Sequence, residues 1–263
     1  MKQAITQYLM VIALVVGAYF LGVYKTQSEM LTKAPAQVAQ VAGAQQQQAP
    51  TPQPVDIAKV EALFADTSNI VLGDRNAKIK FVEFSDTSCP YCHVAAGKNP
   101  ELAKQINPRF ATVENGGTYV SPVMEMKKLI DEGKAALAWI YTPGHGNGEL
   151  GTLALYCANE QGKFWEAHDL LMNNKGYALV NEQIKNDRTK FGELTTFLKS
   201  AVDATKFKAC LESKKYEARV TSDPQIASSF GYGATPTFFV GDKVIEGAAS
   251  WTDGFKGIVD PLL

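Results

Sequence analysis

The sequence has almost no excess charge of either sign. Its 26 Lys and Arg residues face 27 Asp and Glu residues, which leaves a formal net charge of -1. It also lacks a dense stripe of Lys and Arg interleaved with aromatic residues, so no nucleic-acid partner is expected. No internal repeat is visible. With 263 residues and 46% hydrophobic composition, the chain is long enough for one main domain with a sizeable core.

The amino-terminal part of the chain differs in composition from the remainder. Residues 8–24 form an uncharged apolar run that ends at Lys25. This run is at the short end of what spans a bilayer and longer than a usual cleavable signal core, so residues 1–25 are predicted to be a single hydrophobic anchor. A cleavable signal peptide is the alternative. Residues 26–54, rich in Gln, Ala and Pro, are predicted to be a disordered linker.

Residues 55–263 are predicted to form an α/β domain. Strands are predicted at residues 79–85 and 135–142, and a hairpin at residues 237–246 turns at Gly241-Asp242. Residues 145–230, approximately, have an almost wholly helical pattern. The order predicts a mixed sheet with a large helical insertion between the second core strand and the hairpin.

Cysteine is scarce, and two of the four cysteines lie in the motif Cys89-Pro90-Tyr91-Cys92. The motif follows a predicted strand and begins a predicted helix, where unpaired N–H groups favour a thiolate at Cys89. Pro90 suits a first helical turn because no needed donor is lost. Cys92 then lies within reach as the resolving thiol. This arrangement indicates disulfide exchange.

Other interpretations of the motif remain open. With His93 it spells C-x-x-C-H, the attachment motif of c-type haem, but it follows a strand in a mixed α/β chain. Zinc is disfavoured because there is no second C-x-x-C or nearby His pair to complete four ligands. Two buried structural cysteines are the remaining alternative.

Three separated segments resemble DsbA-like thiol-disulfide oxidoreductases, which have a thioredoxin fold. They are residues 81–86 (FVEFSD) leading into the C-P-Y-C motif, residues 161–168 (QGKFWEAH), and residues 233–240 (GATPTFFV). Together the resemblance covers about residues 55–263. The first and third motifs, in this order and far apart, carry most of its specificity.

The resemblance implies roles for residues around the dithiol. Pro236 is expected to be a cis-proline facing it, and Thr235 to offer backbone polar groups to an extended substrate segment. Glu83 lies where the family often has a buried carboxyl, which would accept the proton of Cys92 through water. The alternatives for Glu83 are pairing with Lys or an outward position at the sheet edge. His93 is expected either to tune the thiols electrostatically or, preferably, to lie on the solvent side of its helix.

The other two cysteines, Cys157 and Cys210, fall on predicted helices of the insertion. Related oxidoreductases often have a second disulfide there, which implies a structural Cys157–Cys210 bridge; two free buried thiols are the alternative. His168 is expected to pack within the helical block. His145, in a glycine-rich loop, has no assigned role.

These features predict a membrane-tethered thiol-disulfide oxidoreductase on the extracytoplasmic, periplasmic side. It would introduce disulfides into unfolded or reduced exported proteins through Cys89 and Cys92, and a membrane redox partner would recycle it. No cofactor or metal is needed because the exchanged electrons reside in the sulfurs. The absence of a separate dimerisation domain favours a monomeric oxidase, while isomerase and reductase use the same site. A chaperone-like binding module and a haem or metal carrier using Cys89, Cys92 and His93 are the alternatives from other classes.

Overall fold

The computed structural model describes residues 55–263. The predicted anchor at residues 1–25 and the predicted linker at residues 26–54 lie outside this range. Among the helices of residues 55–263, none combines the length and apolar character needed to cross a bilayer.

A mixed sheet forms the centre of the described domain. Its strands are β1 (Ile70–Gly73), β2 (Ile79–Ser85), β3 (Ala135–Tyr141), β4 (Thr237–Val240) and β5 (Lys243–Glu246). Their order across the sheet is β1-β3-β2-β4-β5. β2 and β3 are parallel, whereas β1, β4 and β5 pair antiparallel with their neighbours. The prediction of a mixed α/β sheet is confirmed.

The sheet is buried on both faces because β2 and β3 alternate apolar side chains to either side. Phe81 and Leu137 belong to the core on one face, and Val82 and Ala138 belong to the core on the other. Every residue of β3 is buried. A strand of this kind appears in sequence as a continuous apolar run, as β3 does.

Helices cover both faces of the sheet. Before β3 they are α1 (Ile57–Ala65), α2 (Pro90–Ala96), α3 (Pro100–Ile106) and α4 (Pro122–Asp131). Between β3 and β4 they are α5 (Glu149–Asn159), α6 (Phe164–Leu171), α7 (Asn174–Ala178), α8 (Phe191–Leu198), α9 (Ala204–Glu212) and α10 (Glu217–Ser229). After β5, a π-helical turn at Trp251–Phe255 leads into α11 (Lys256–Val259).

Short 3-10 turns complete the secondary structure. They are Pro108–Phe110, Val113–Asn115, Arg188–Lys190 and Asp260–Leu262. The sequence pattern indicates one helix over residues 101–110. In the structure α3 ends at Ile106, and the first of these turns follows it. The cause is Asn107-Pro108: Asn107 is extended and begins the 3-10 turn, and a residue before proline is disfavoured in helical backbone.

The sequence pattern between residues 145 and 230 is helical overall, but it does not indicate separate helical segments at α7 and the following π-helical turn, Leu179–Ile184. Gly176 and the paired Asn173-Asn174 weaken the local helical signal. In the structure the Asn173 side chain caps α7 by accepting a hydrogen bond from the Gly176 N–H at 2.9 Å. Burial of Leu179, Val180 and Ile184 then holds the turn in place. Tertiary packing therefore decides this segment.

Cys157 on α5 and Cys210 on α9 are joined by a disulfide. Both side chains are buried in the main core. The bond links residues 53 positions apart, and α5 and α9 pack directly against each other. It ties the helices that lie between β3 and β4 to one another.

Replacing both bridge cysteines, Cys157→Ala with Cys210→Ala, should lower the free energy of unfolding by roughly 4 kcal/mol, because closing a loop of this length restricts the unfolded chain by about that amount. Urea unfolding of the oxidised full-length protein measures the change. The rate of thiol exchange at 25 °C should stay within about twofold of the wild type in the folded protein, since the bridge and the dithiol belong to different buried clusters. A variant that unfolds at the wild-type urea concentration would contradict the stabilising role.

Candidate active site

Cys89 and Cys92 lie at the start of α2, immediately after the carboxyl end of β2. Cys89 is the N-cap residue, with extended backbone, and Pro90 occupies the first helical turn. The Cys89 N–H donates to the Asp86 carbonyl at 3.0 Å, and the Cys89 carbonyl accepts from the His93 N–H at 3.2 Å. The sequence folds this way because proline suits the first turn and leaves the neighbouring N–H groups free to face the first sulfur.

Asp86 fixes the turn that carries the dithiol. Its Oδ1 accepts hydrogen bonds from the backbone N–H and the hydroxyl of Ser88, both at 2.7 Å. Its Oδ2 accepts from the N–H groups of Gly144 and His145 at 2.7 and 3.0 Å. One fully buried carboxylate thereby joins the loop after β2 to the loop after β3. Sequence reasoning assigned Asp86 no role, although the Asp-x-Ser spacing is typical of a side chain that caps its own turn.

Gly144 closes one side of the site. A Cβ added at this position would lie 1.8 Å from Thr235 Oγ1 and 3.4 Å from Cys89 Cβ. A side chain would therefore collide with the wall of the site, and glycine allows the loop after β3 to approach the first sulfur closely.

Thr235 faces Cys89 from the segment that leads into β4. The Cys89 thiol donates to the Thr235 carbonyl at 3.4 Å, and the Thr235–Pro236 peptide bond is cis. Of the two residues implied by the resemblance, Thr235 contacts the first sulfur and Pro236 has the expected cis peptide bond.

A groove adjoins this contact on the solvent side. It has a volume of about 330 Å³ and is lined by Tyr91, Arg109, Phe110, Thr235 and residues 246–249. Tyr91 is 45% exposed, and its ring meets the edge of Phe110. The groove is lined by Thr235, whose carbonyl contacts the first sulfur, and it has an aromatic wall, features that suit an extended peptide.

The two thiols differ in depth and in acidity. Cys89 is 4% exposed and Cys92 is fully buried. The hydrogen bond from Cys92 lowers the pKa of Cys89 to about 7 against the opposing effect of burial, and the N–H groups of Tyr91 and Cys92 add to the lowering. Burial raises the pKa of Cys92 well above its usual value, and the neighbouring Cys89 raises it further. At neutral pH a substantial fraction of Cys89 is therefore thiolate, whereas Cys92 keeps its proton.

Glu83 is buried on β2, directed to the same sheet face as Phe81. It is 1% exposed, and within residues 55–263 neither carboxyl oxygen has a hydrogen-bond partner. Burial raises the pKa of Glu83, while the nearby His168 and Ser85 side chains oppose the rise. Its charge in turn contributes to the raised pKa of Cys92. The outward and Lys-paired alternatives for Glu83 are therefore wrong, and the carboxyl lies within electrostatic reach of the second thiol.

His93 does not lie on the solvent side of its helix, and that prediction is wrong. The side chain is fully buried, with Nδ1 2.9 Å from the Met172 carbonyl and Nε2 2.9 Å from the Thr87 carbonyl. Burial lowers the pKa of His93 to about 4, so it is neutral at pH 7 and brings no charge to the thiols. Its role is to fasten α2 to the loop before Cys89 and to the end of α6.

The same contacts bear on the haem or metal alternative. Both ring nitrogens of His93 face backbone carbonyls, and the single N–H of the neutral ring donates to one of them, so the imidazole is not directed towards the two sulfurs. Across residues 55–263, no three His, Cys, Asp or Glu side chains are grouped closely enough to hold a metal ion.

Sequence comparison adds a family and several relatives. The Thioredoxin_4 family model, described as thioredoxin, matches residues 123–260, just over half of the chain. The chain is 26% identical to "Na(+)/H(+) antiporter NhaA 3" of Salinispora tropica over 66% of its own length, but it spans only 22% of that protein. It is 25% identical to "Disulfide bond formation protein D" of Bacillus subtilis, covering 70% of this chain and 72% of that one.

Comparison with solved structures supports the fold. The crystal structure of oxidised BdbD from Bacillus subtilis matches with a TM-score of 0.53 and 22% identity, covering 81% of this chain and 97% of that one. The structure of alpha-DsbA1 from Wolbachia pipientis matches with a TM-score of 0.55 and 21% identity, covering 78% and 95%. These similarities show the DsbA-like thioredoxin fold predicted from the three motifs.

The difference in thiol acidity should appear in the pH dependence of alkylation. In the reduced full-length protein, the rate of iodoacetamide labelling at Cys89 should reach half its maximum near pH 7 and fall below that pH, because only the thiolate reacts. Cys92 should remain unlabelled over the same range. In Cys92→Ala the hydrogen bond to Cys89 is lost, so the midpoint should move to higher pH. Mass spectrometry identifies the labelled cysteine, and a wild-type midpoint near 8.5 would contradict the assignment.

Proposed function

The chain belongs to the Thioredoxin_4 family, and we propose that it is a membrane-tethered thiol-disulfide oxidoreductase that works outside the cytoplasm. The observation that supports this function best is the pair of thiols with opposite pKa shifts at the start of α2. Cys89 and Cys92 are the proposed catalytic residues, and Thr235 and Pro236 the proposed substrate-binding residues. Pro90, Tyr91, Glu83 and His93 support the site.

In the oxidising direction the reaction starts from a Cys89–Cys92 disulfide. A substrate thiolate attacks Cys89 Sγ, the enzyme S–S bond breaks, and Cys92 leaves as a thiolate that takes up a proton. The second substrate thiolate then attacks the substrate sulfur of the mixed disulfide, and Cys89 leaves as a thiolate. Two substrate thiols have become a disulfide, and the enzyme disulfide has become a dithiol. A membrane redox partner would then reoxidise the dithiol.

Glu83 is the proposed donor and acceptor of the Cys92 proton. A carboxyl with a raised pKa stays protonated long enough to supply a proton to the leaving sulfur, and its carboxylate can remove that proton when Cys92 must attack. Both its burial and its effect on the pKa of Cys92 support this assignment.

The lowered pKa of Cys89 supports oxidation as the working direction. A stable Cys89 thiolate favours the reduced enzyme, which makes the disulfide a stronger oxidant. The sequence similarity to Disulfide bond formation protein D is consistent with this direction. Reduced or unfolded exported proteins are the proposed substrates, and the protein is proposed to act as a monomer. Isomerase or reductase activity through the same two thiols is the alternative.

Exchange activity should depend differently on the two thiols. The oxidised full-length protein should restore activity to a reduced, unfolded disulfide-containing enzyme, and Cys89→Ala should abolish this. When offered a substrate that already contains a disulfide, Cys92→Ala should accumulate a mixed disulfide. Its Cys89 thiolate attacks one substrate sulfur, the other substrate sulfur leaves as a thiolate, and no enzyme thiol remains to release the substrate. Non-reducing electrophoresis and equilibration with a glutathione buffer measure the mixed disulfide and the potential. If the wild type shows no exchange and Cys92→Ala traps no substrate, the proposed function is wrong.

Residues 8–24 should hold the full-length protein in the membrane. After expression in a Gram-negative host, the protein should sediment with membranes, resist extraction by carbonate and become protease-sensitive in spheroplasts. Leu14→Asp with Val16→Asp should shift it to the soluble fraction, since a central carboxylate disfavours insertion by roughly 2.5–3.5 kcal/mol. A soluble wild-type protein with a shortened amino terminus would instead indicate a cleaved signal peptide.

A further inference from the structure

A group of buried polar atoms on the sheet face shared with Glu83 is not accounted for by the exchange steps alone. Within residues 55–263 these atoms have no hydrogen-bond partner: Glu83 Oε1 and Oε2, Ser85 Oγ, Trp139 Nε1 and His168 Nε2. They come from β2, β3 and α6. Because an unpartnered buried polar group is costly, such a concentration next to a reactive thiol calls for a functional explanation.

Helix α6 brings His168 beneath the dithiol. At its end Met172 packs against Cys89 and Cys92, and the Met172 N–H donates to the His168 carbonyl at 2.8 Å. Residues four apart share one face of a helix, so the His168 side chain lies one turn from this contact. His168 is 1% exposed.

Aromatic packing places the same histidine over the central strands. Its ring stacks on Phe164 with centroids 5.6 Å apart, and Phe164 packs against Trp139 at 6.0 Å. Trp139 is the registered partner of Glu83 in the parallel pairing of β3 with β2. The Glu83 carboxyl approaches this region from the sheet, and the His168 imidazole approaches it from the helix. The two side chains interact electrostatically, because His168 opposes the rise that burial causes in the pKa of Glu83.

The other side of the imidazole leads to the surface. His168 Nδ1 lies 3.3 Å from Asp169 Oδ1, and Asp169 Oδ2 forms an ion pair with Lys98 Nζ at 2.7 Å. The Asp169 and Lys98 side chains are 34% and 31% exposed. Both line a surface cavity of about 130 Å³. A series of titratable side chains therefore leads from the buried Glu83 through His168 to Asp169 at the surface.

We propose that His168 is a positioning residue that passes the Cys92 proton between Glu83 and the surface, with Asp169 holding its ring. This inference rests on the proposed exchange function. With Nδ1–H donating to Asp169, the Nε2 lone pair is free to face Glu83. When Cys92 must attack, its proton moves to the Glu83 carboxylate and from Glu83 to Nε2, and the imidazolium releases a proton to water beside Asp169. When Cys92 is the leaving thiolate, the same transfers run in reverse.

The charged and titratable groups around His168 come from several elements. They are Glu83 on β2, Cys92 and His93 on α2, Lys98 after α2, Lys127 on α4 against Trp165, and Asp169 on α6 itself. His93 is neutral at pH 7, and Lys98 is paired with Asp169. Glu83 is the one carboxyl among them that is both buried and without a partner in the described range.

The test follows the two thiols of the reduced full-length protein separately. Excess Ellman's reagent is attacked first by Cys89, and Cys92 then resolves the resulting mixed disulfide, so each step releases one thionitrobenzoate. In His168→Gln the second step should slow by about tenfold or more at pH 7, since positioned proton transfer contributes roughly 10²–10⁴ in rate. The first step should stay within about twofold of the wild type. The deficit should narrow towards pH 9, where hydroxide removes the proton directly.

Glu166→Gln is the matched control, because Glu166 lies on the same helix with a 47% exposed side chain. It should match the wild type in both steps. Asp169→Asn offers a second variant at a partly exposed position and should slow the second step in the same direction. Urea unfolding of each variant checks that it is folded.

The possible failures are distinguishable. If the wild type releases only one thionitrobenzoate, the proposed function itself is wrong. If the wild type releases two and His168→Gln matches it across the pH range, only the role of His168 is overturned. Equal slowing of both steps, with no change in pH dependence, would assign His168 a purely structural role and would also overturn the inference.

Discussion

The parallel pairing of β2 with β3 is the constraint on which the site depends. The strands keep one register from Ile79 opposite Ala135 to Ser85 opposite Tyr141. Because parallel strands end at the same edge, the dithiol turn and the glycine-rich loop leave the sheet together, and Asp86 can bond to both. β4 begins at this edge from the opposite direction, immediately after Thr235–Pro236. A slip of one residue would turn Glu83 to the other face and separate these groups.

Much of this arrangement could be predicted from sequence, because local signals and the global fold agree. Apolar periodicity predicted β2 and the β4–β5 hairpin with their observed bounds, and the motifs predicted which segments would face the dithiol. The role of Asp86 could not be predicted, since its bonds to Gly144 and His145 join positions far apart in the chain. His93 illustrates the same limit. A seven-residue helix does not reveal which of its faces a distant segment will cover.

The site places its two thiols at different depths below the surface. Cys89, at the helix start, has access to peptide N–H groups and contacts Thr235 at the groove, whereas Cys92 is one turn further in and fully buried. Burial penalises charge most at the inner sulfur, so the proton remains there while the outer sulfur ionises. In the proposed reaction a nearby group must exchange the inner proton, and Glu83, which is buried at a desolvation cost, is the proposed group.

The proposed exchange reaction would proceed in a chain that has a second disulfide of its own. Cys157 and Cys210 are 1% and 9% exposed, enclosed by core side chains of the helical layer, so a thiolate from solvent cannot align with their sulfurs. The dithiol can therefore cycle between its two redox states while the bridge stays closed. In the proposed reaction, this separation would let the helical layer act as a fixed frame while the dithiol exchanges.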